Sequence, residues 1–345
     1  MYLTEQEIME QHIALEETFC YFKERREKIK EFFQKHPLKK FLFLGCGSSY
    51  MLAKTGQRKF AACRGTAASA VAGGDYLVNK EFYEETAKES IVVVLSRSGQ
   101  TTEIVESVKD IREKYHTPVI SISAKAENPL TAYSDLNLIL DWCYDKSVSQ
   151  TRTVTNLYMA VLLLAAIYED DDTVIEELFK AVSENKEYKE ENRGRLKAVA
   201  ARDWDNAVIL ADGPVAGIGE EGALAFTEIA MVPGRFFNLL DYRHGPMVLC
   251  DEKTLTIVLV GPGENKLQRD MLRDLKKRRC ILVTVSSERD NGFGADENIY
   301  IGNIQDFGVM GIPFIFIIQC LAYEKAMLKG TNPDAPRGLE AFITL

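Results

Sequence analysis

Residues 90–115 read SIVVVLSRSGQTTEIVESVKDIREKY. A continuous apolar run, Ile91 to Leu95, gives way to Ser96-Arg97-Ser98-Gly99-Gln100-Thr101-Thr102, after which Ile104, Val105, Val108 and Ile111 recur at helical spacing. The segment is therefore expected to run strand, polar loop, helix. Hydroxyls and a glycine at the carboxyl end of a buried strand, where a helix begins, form an anion site. Backbone N–H groups of the helix N-terminus face the ligand, the macrodipole favours negative charge, and the hydroxyls add neutral donors. A phosphate monoester fits that description. The plainer alternative is that Thr101 or Thr102 only caps the helix, with Gln100 or Glu103 closing a capping box. The loop lacks the second glycine and the lysine of a GxxxxGK[ST] loop, so a nucleotide is not the expected ligand.

Outward from this stretch, Phe41 to Tyr50, FLFLGCGSSY, repeats the design: four apolar residues, a GxG turn, then Ser48 and Ser49 leading into Met51, Leu52 and Thr55. Two such loops in one half are expected to converge at one sheet edge. Thr66 to Val71, Pro118 to Ser123 and Leu136 to Leu140 add short strands, and Gly73-Gly74-Asp75 is expected to be a turn. Strands alternating with helices imply an α/β fold with a parallel, doubly wound, flavodoxin-like sheet. In such sheets ligands sit outside the carboxyl ends of the strands, at the switch point, where both serine loops would lie.

Residues 3–36 form a helical segment with an apolar face, ending before Pro37. Asp145 to Thr153, DKSVSQTRT, precedes an apolar helix from Asn156 to Tyr168, and 169–202 is an acidic, then mixed-charge, helical connection. Beyond it the pattern returns. Ala207 to Ala211, Leu255 to Val260, Cys280 to Val285 and Asn298 to Ile301 repeat the strands of the first half at a roughly constant offset, which indicates internal duplication. Gly261-Pro262-Gly263-Glu264 then stands where the first half has its serine loop, so only the first half is expected to hold the anion.

The chain has 345 residues, 46% hydrophobic and 27% charged, enough for about two domains. A formal net charge of -9 argues against a nucleic-acid or anionic-membrane surface. The longest apolar segments, Ala160 to Ile167 and Ile312 to Ile318, are too short to span a bilayer, and no basic and apolar leader opens the chain, so it is expected in the cytoplasm. Seven cysteines without CxxC spacing and four histidines without a ligand pair indicate neither disulfides nor a metal.

Two residues of the second half could carry chemistry, the plainer alternatives being an ordinary helix-face glutamate and an incidental loop histidine. The helix Gly219 to Val232 places Glu221, Leu224, Ala225 and Glu228 on one face, and Glu228 stands in apolar company that would favour a general base. After the strand Arg235 to Leu239, His244 lies in Tyr242-Arg243-His244-Gly245-Pro246, held by a Gly-Pro turn and placed to shuttle protons. Glutamate, histidine and a phosphate loop together describe enolisation of a phosphorylated sugar, with no cofactor required.

GCGSSY, SRSGQTTE, SVSQTRT, EGALAFTEIA and YRHGP, in that order over two similar halves, resemble the double sugar-isomerase (SIS) domain proteins. These include the isomerase half of glucosamine-6-phosphate synthase, the tagatose-6-phosphate ketose/aldose isomerase (galactosamine-6-phosphate deaminase) group and the fructosamine-6-phosphate deglycases. The resemblance implies that Ser96, Ser98 and Thr101 hold phosphate with Ser48 and Ser49 contributing. Cys46, Gly47, Val148 and Gln150 would line the sugar site, Glu228 would be the base and His244 the ring-opening histidine. It also implies a homodimer with active sites at the subunit interface, because in the family that histidine reaches across from the partner.

The resulting domain plan is a helical segment at 1–36, SIS domains at 37–168 and 203–330 joined by 169–202, and a tail at 331–345 near the active site. Two departures bear on the reaction. Ala225 and Ala341 stand where the synthase pattern carries lysines, and Tyr2 follows Met1 where the synthase's glutaminase domain has its cysteine. Deamination of an amino-sugar phosphate or isomerisation of a ketose phosphate is expected, with cleavage of a fructosamine-6-phosphate adduct, or phosphosugar sensing without catalysis, as the alternatives.

Overall fold

Short apolar runs bounded by polar loops become strands, the longer ones at 160–167 and 312–318 lie in helices, and every described strand pairs in parallel. The computed structural model describes residues 1–263, 266–289 and 292–340. Its chain falls into two units. One comprises Glu10–Lys146 and Gln150–Phe179, and the other Met1–Met9, Ser147–Ser149 and Lys180–Leu339.

In chain order the elements up to the first sheet's end are α1 (Leu3–Glu24), α2 (Arg26–Lys35), β1 (Lys40–Gly45), α3 (Ser48–Ala62), β2 (Ala67–Ala72), α4 (Gly73–Val78), α5 (Glu84–Ala87), β3 (Ile91–Ser96), α6 (Thr102–Tyr115), β4 (Val119–Ser123) and β5 (Leu136–Ile139). The five strands run in the order β2-β1-β3-β4-β5. This is the flavodoxin-like order, with its switch point between β1 and β3. Ile91 to Leu95 are each 0% exposed. Fully burying one such side chain is worth about 1.5–3 kcal/mol, and two covered faces explain why the run is continuous rather than alternating. Leu42, Leu44, Val92 and Val94 join Ile104, Val108 and Ile111 of α6 in one core cluster. α7 (Arg152–Glu169) is buried from Thr153 to Ile167.

α8 (Asp172–Ser183) and α9 (Asn185–Ala200) lead to β6 (Asn206–Leu210), α10 (Ala216–Ile229), β7 (Gly234–Phe237), β8 (Thr254–Leu259), α11 (Lys266–Lys277), β9 (Ile281–Ser286), β10 (Glu297–Tyr300) and α12 (Gly311–Lys329). The second sheet runs β10-β9-β8-β6-β7, the same topology read from the other edge. The duplication reaches single hydrogen bonds. Asp135 accepts from Val119 N–H at 2.9 Å just before β5, and Asp296 accepts from Leu282 N–H at 2.9 Å just before β10. Ser121 donates to Asn137 at 2.6 Å, and Thr284 to Asn298 at 2.8 Å.

Several local expectations are corrected. The segment 3–36 is two helices, interrupted at Arg25 (φ -100°, ψ 6°), whose guanidinium lies 3.7 Å from the Tyr21 ring centroid. Gly73-Gly74-Asp75 opens α4 instead of forming a turn. The helix expected from Asn156 begins at Arg152, because Asp145 reaches its N-terminus, and the helix expected over Gly219–Val232 spans Ala216–Ile229. α12 has the length and apolarity to cross a membrane, unlike the shorter runs seen in the sequence, but 83% of its most apolar window is buried within the fold. A helix apolar all round is what a core position requires. Glu264 and Ala341 lie outside the described residues.

Candidate functional site

The first unit brings the two serine loops to neighbouring strand ends. β1 and β3 pair with Leu44 opposite Val94, so Cys46 to Ser49 and Ser96 to Thr101 leave adjacent strands at the same sheet edge. Gly47 (φ 53°) turns the chain into α3, and Ser48 and Ser49 are each 4% exposed at its start. The turn is tight: a Cβ on Gly45 would meet the Ser49 backbone at 2.4 Å.

In the second loop each serine folds the backbone around itself. Ser96 Oγ accepts from Gly99 N–H at 3.0 Å, and Ser98 Oγ accepts from Gln100 N–H at 3.1 Å. A hydroxyl that accepts one bond keeps its own proton to donate. Thr101 occupies the N-cap position of α6, yet its side chain makes no capping bond; its carbonyl accepts from Ile104 and Val105 at 3.1 Å. Capping by that hydroxyl therefore does not account for the threonine. Arg97 is buried, its guanidinium carbon 5.7 Å from the Tyr144 ring centroid. Burial, reinforced by Glu103, pushes the Cys46 thiol up, against the opposing pull of the Gly73 and Gly74 N–H groups. Cys46 therefore presents a neutral thiol to this edge.

The hydroxyl-rich segment before α7 resolves into two functions. Asp145, buried, accepts from the N–H groups of Thr151 at 2.8 Å, Arg152 at 3.1 Å and Thr153 at 2.9 Å, and so closes the helix N-terminus. Gln150, in the same unit, has its Oε1 buried with no hydrogen-bond partner among the described residues, as does Glu103 Oε2. A buried acceptor left unmet costs about 1–3 kcal/mol, so such an atom is expected to meet water or a ligand. The sequence pattern signals neither the Asp145 cap nor the packing of Asn128 against Gly99 of the serine loop. Asn128 donates to Ser123 Oγ at 3.2 Å and to the Lys125 carbonyl at 2.6 Å.

The other unit carries Val148, Glu228 and His244. Val148 N–H donates to the Asp334 carbonyl at 3.0 Å, and the Asp334 carboxylate accepts from Leu3 N–H at 2.9 Å and Thr4 N–H at 2.8 Å, closing the start of α1. Glu228 is half-buried in the last turn of α10, while Glu221, two turns earlier, is 2% exposed. Glu221 is thus the carboxylate set deepest in that helix, although the sequence pointed first to Glu228. His244 is exposed, its N–H bonded to the Asp241 carbonyl at 2.9 Å; neighbouring Arg243 is committed to Asp274 at 2.7 Å. A β6–α10–β7 crossover puts the end of α10, and Glu228, at the amino-terminal edge of the second sheet. His244 follows the carboxyl end of β7, so one chain holds the two at opposite edges of that sheet. Among the described residues no group of three His, Cys, Asp or Glu could hold a metal ion.

Residues 36–167 and 201–312 each match the model of the SIS domain. The glutamine–fructose-6-phosphate aminotransferase (isomerizing) of Sulfolobus acidocaldarius is 25% identical over 279 residues, 78% of this chain and 45% of that protein. Its Escherichia coli O157:H7 namesake is 24% identical over 315 residues, 88% of this chain and 51% of that protein. The chain spans about half the length of these curated relatives. Among solved structures, the C-terminal domain of glucosamine-fructose-6-phosphate aminotransferase from Francisella tularensis superposes with a TM-score of 0.84 at 20% identity, over 97% of this chain and 98% of that one. Tagatose-6-phosphate ketose/aldose isomerase from Escherichia coli superposes with a TM-score of 0.85 at 18% identity, over 99% and 95%. Glucosamine-6-phosphate deaminase from Thermotoga maritima gives 0.77 at 22% identity, over 95% and 99%. At these identities the superpositions establish the fold.

Proposed function

The chain belongs to the SIS-domain family, and on that premise we propose that it is a cofactor-independent enzyme that enolises a ketose or amino-sugar 6-phosphate. The observation that carries the proposal is the pair of serine loops at the β1/β3 switch point, with Ser96 and Ser98 each folding its own loop and keeping a hydroxyl proton to donate. Ser96, Ser98 and Thr101, with Ser48 and Ser49, hold the phosphate. Cys46, Gly47, Val148 and Gln150 line the sugar, and the unmet Gln150 Oε1 accepts from one of its hydroxyls.

His244 moves a proton from the anomeric hydroxyl to the ring oxygen, opening the ring. The Glu228 carboxylate then carries a proton between the two carbons, from C2 to C1 in an open aldose and from C1 to C2 in an open ketose or its C1-amino adduct. With a hydroxyl at C2 this sequence gives the ketose. With an amine at C2 it gives the C2 imine, which water hydrolyses to ammonia and the ketose phosphate. Ala225 is 3% exposed, so the position where the synthase pattern has a lysine offers no amine. This favours loss of the amine, by deamination or by cleavage of a fructosamine-6-phosphate adduct, over synthase-type isomerisation.

Because one chain holds Glu228 and His244 at opposite edges of the same sheet, we take the working form to be a homodimer in which His244 serves the partner's site. Val248, 73% exposed, and Leu249, 59% exposed, follow His244 and supply an apolar contact for the second copy. The reaction requires neither nucleic acid nor membrane, and a cytoplasmic phosphosugar is the expected substrate.

The test is incubation of the pure protein with glucosamine-6-phosphate, galactosamine-6-phosphate, tagatose-6-phosphate and a fructosamine-6-phosphate, assaying ammonia, free amine and sugar phosphates. Turnover of one of the four supports the proposal. Binding of a phosphosugar without turnover of any of them would make the chain a sensor.

A further inference from the structure

The second unit carries a polar cavity that the proposed chemistry does not use. It measures about 340 Å3 and opens where β9 and β10 end and α9 begins, at the carboxyl ends of parallel strands. Its most telling residue is Asn185, the first of α9. Asn185 is 2% exposed, and neither its Oδ1 nor its Nδ2 has a hydrogen-bond partner among the described residues. A buried side chain with both its donor and its acceptor unmet calls for a partner inside the cavity it lines.

The rest of the lining narrows what that partner can be. Glu184, Glu187 and Glu191 outnumber the cations Lys180 and Arg289, three carboxylates against two positive charges, so this is not a second phosphate site. The Arg289 guanidinium carbon lies 4.2 Å from the Tyr300 ring centroid, which makes a planar, polarisable wall. Tyr188 spends its hydroxyl on the Pro313 carbonyl at 3.3 Å, whereas both polar atoms of the Asn185 side chain are unmet among the described residues. A carboxamide offers an acceptor beside a donor, and it is matched by a planar edge carrying the complementary pair.

We propose that this cavity binds a neutral planar molecule whose edge presents an N–H donor next to a carbonyl or ring-nitrogen acceptor. Asn185 reads that edge with both of its polar atoms, and the ring lies against Arg289 and Tyr300. Two sources share this chemistry, a ring carboxamide and an aminopurine, and the experiment separates them.

The full chain is titrated with nicotinamide and with adenosine by calorimetry and saturation-transfer NMR, with inorganic phosphate as competitor. At least one of the two is expected to bind, phosphate is expected not to displace it, and Asn185→Leu is expected to weaken it at least tenfold. Arg289→Ala, on the exposed rim, should weaken it severalfold without depending on how the buried position tolerates substitution. Binding of nicotinamide alone assigns a carboxamide ligand, and binding of adenosine alone an aminopurine. Failure of both to bind at millimolar concentration, displacement by phosphate, or binding unchanged in the two variants would overturn the proposal and leave the cavity to water.

Discussion

Gly99 sits against Asn128 so closely that a Cβ on the glycine would stand 2.4 Å from the asparagine side chain, and its φ of 62° is one that other residues rarely adopt. Gly99→Ala is therefore expected to deform the serine loop twice over, by strain and by collision. The positive φ alone costs about 1–2 kcal/mol. The variant should melt earlier and bind phosphosugars more weakly. Adding Asn128→Gly should recover part of the loss by removing the collision, and should not recover the strain. A double variant no better than the single one would show that Asn128 is not what confines the loop.

The phosphate should be held mainly by hydroxyls rather than by charge. Replacing both Ser98 and Thr101 with alanine is expected to cost about 1.5–3 kcal/mol for each hydrogen bond to the charged ligand, roughly ten-fold or more in affinity apiece. The loss should be equal for every phosphosugar tested. Arg97 is buried against Tyr144, so Arg97→Ala should lower the melting temperature more than it lowers affinity. If calorimetry showed Arg97→Ala to be the worse binder, the loop would be clamping phosphate by charge.

Much of this loop could be seen in the sequence, because its determinants are local. A central strand covered on both faces writes itself as Ile91 to Leu95, and the helix declares its face at Ile104, Val108 and Ile111. The misread places are those where the cause is remote. The Gly-Gly-Asp pattern reads as a turn, but Gly73 is a packing glycine: a Cβ there would lie 2.8 Å from Ile104 Cδ1 and 3.0 Å from Cys46 Sγ. The break at Arg25 carries neither Gly nor Pro to mark it. Asp145 caps α7 from six to eight residues away, beyond the reach of any local capping pattern. Candidate site residues could be named one by one from the sequence, but the burial that sets Glu221 deeper than Glu228 depends on tertiary packing.

Acid stability should rest in part on the duplicated aspartates. Burial alone would raise the Asp135 carboxyl, but bonding from Arg112 and from Val119 N–H prevails and holds it below the usual carboxylate range. A carboxyl depressed on folding adds stability that is fully present above its unfolded value of about 4 and is lost as pH falls through the folded value. Asp135→Asn should thus be less stable than wild type at neutral pH, with the gap closing below about pH 4. Melting curves across pH 2–8 would show it, and a gap independent of pH would contradict it.

The proposed dimer can be tested at the patch beside His244. Val248→Asp with Leu249→Asp places charge on two side chains that are exposed in the single chain, so the fold should survive. Light scattering should report monomers, and activity should fall with dissociation because His244 is then withheld from its partner's site. An active monomer would show that each chain completes its own site.

The most direct measurement is proton exchange with solvent during turnover. Wild-type protein incubated with its sugar phosphate in deuterated water should place deuterium at the carbon that Glu228 reprotonates, seen by NMR of the product. Glu228→Gln should bind the same sugar phosphate yet incorporate none. Deuterium incorporation by Glu228→Gln at a rate comparable to wild type would contradict the assignment of Glu228 as the base, and with it the account of this site.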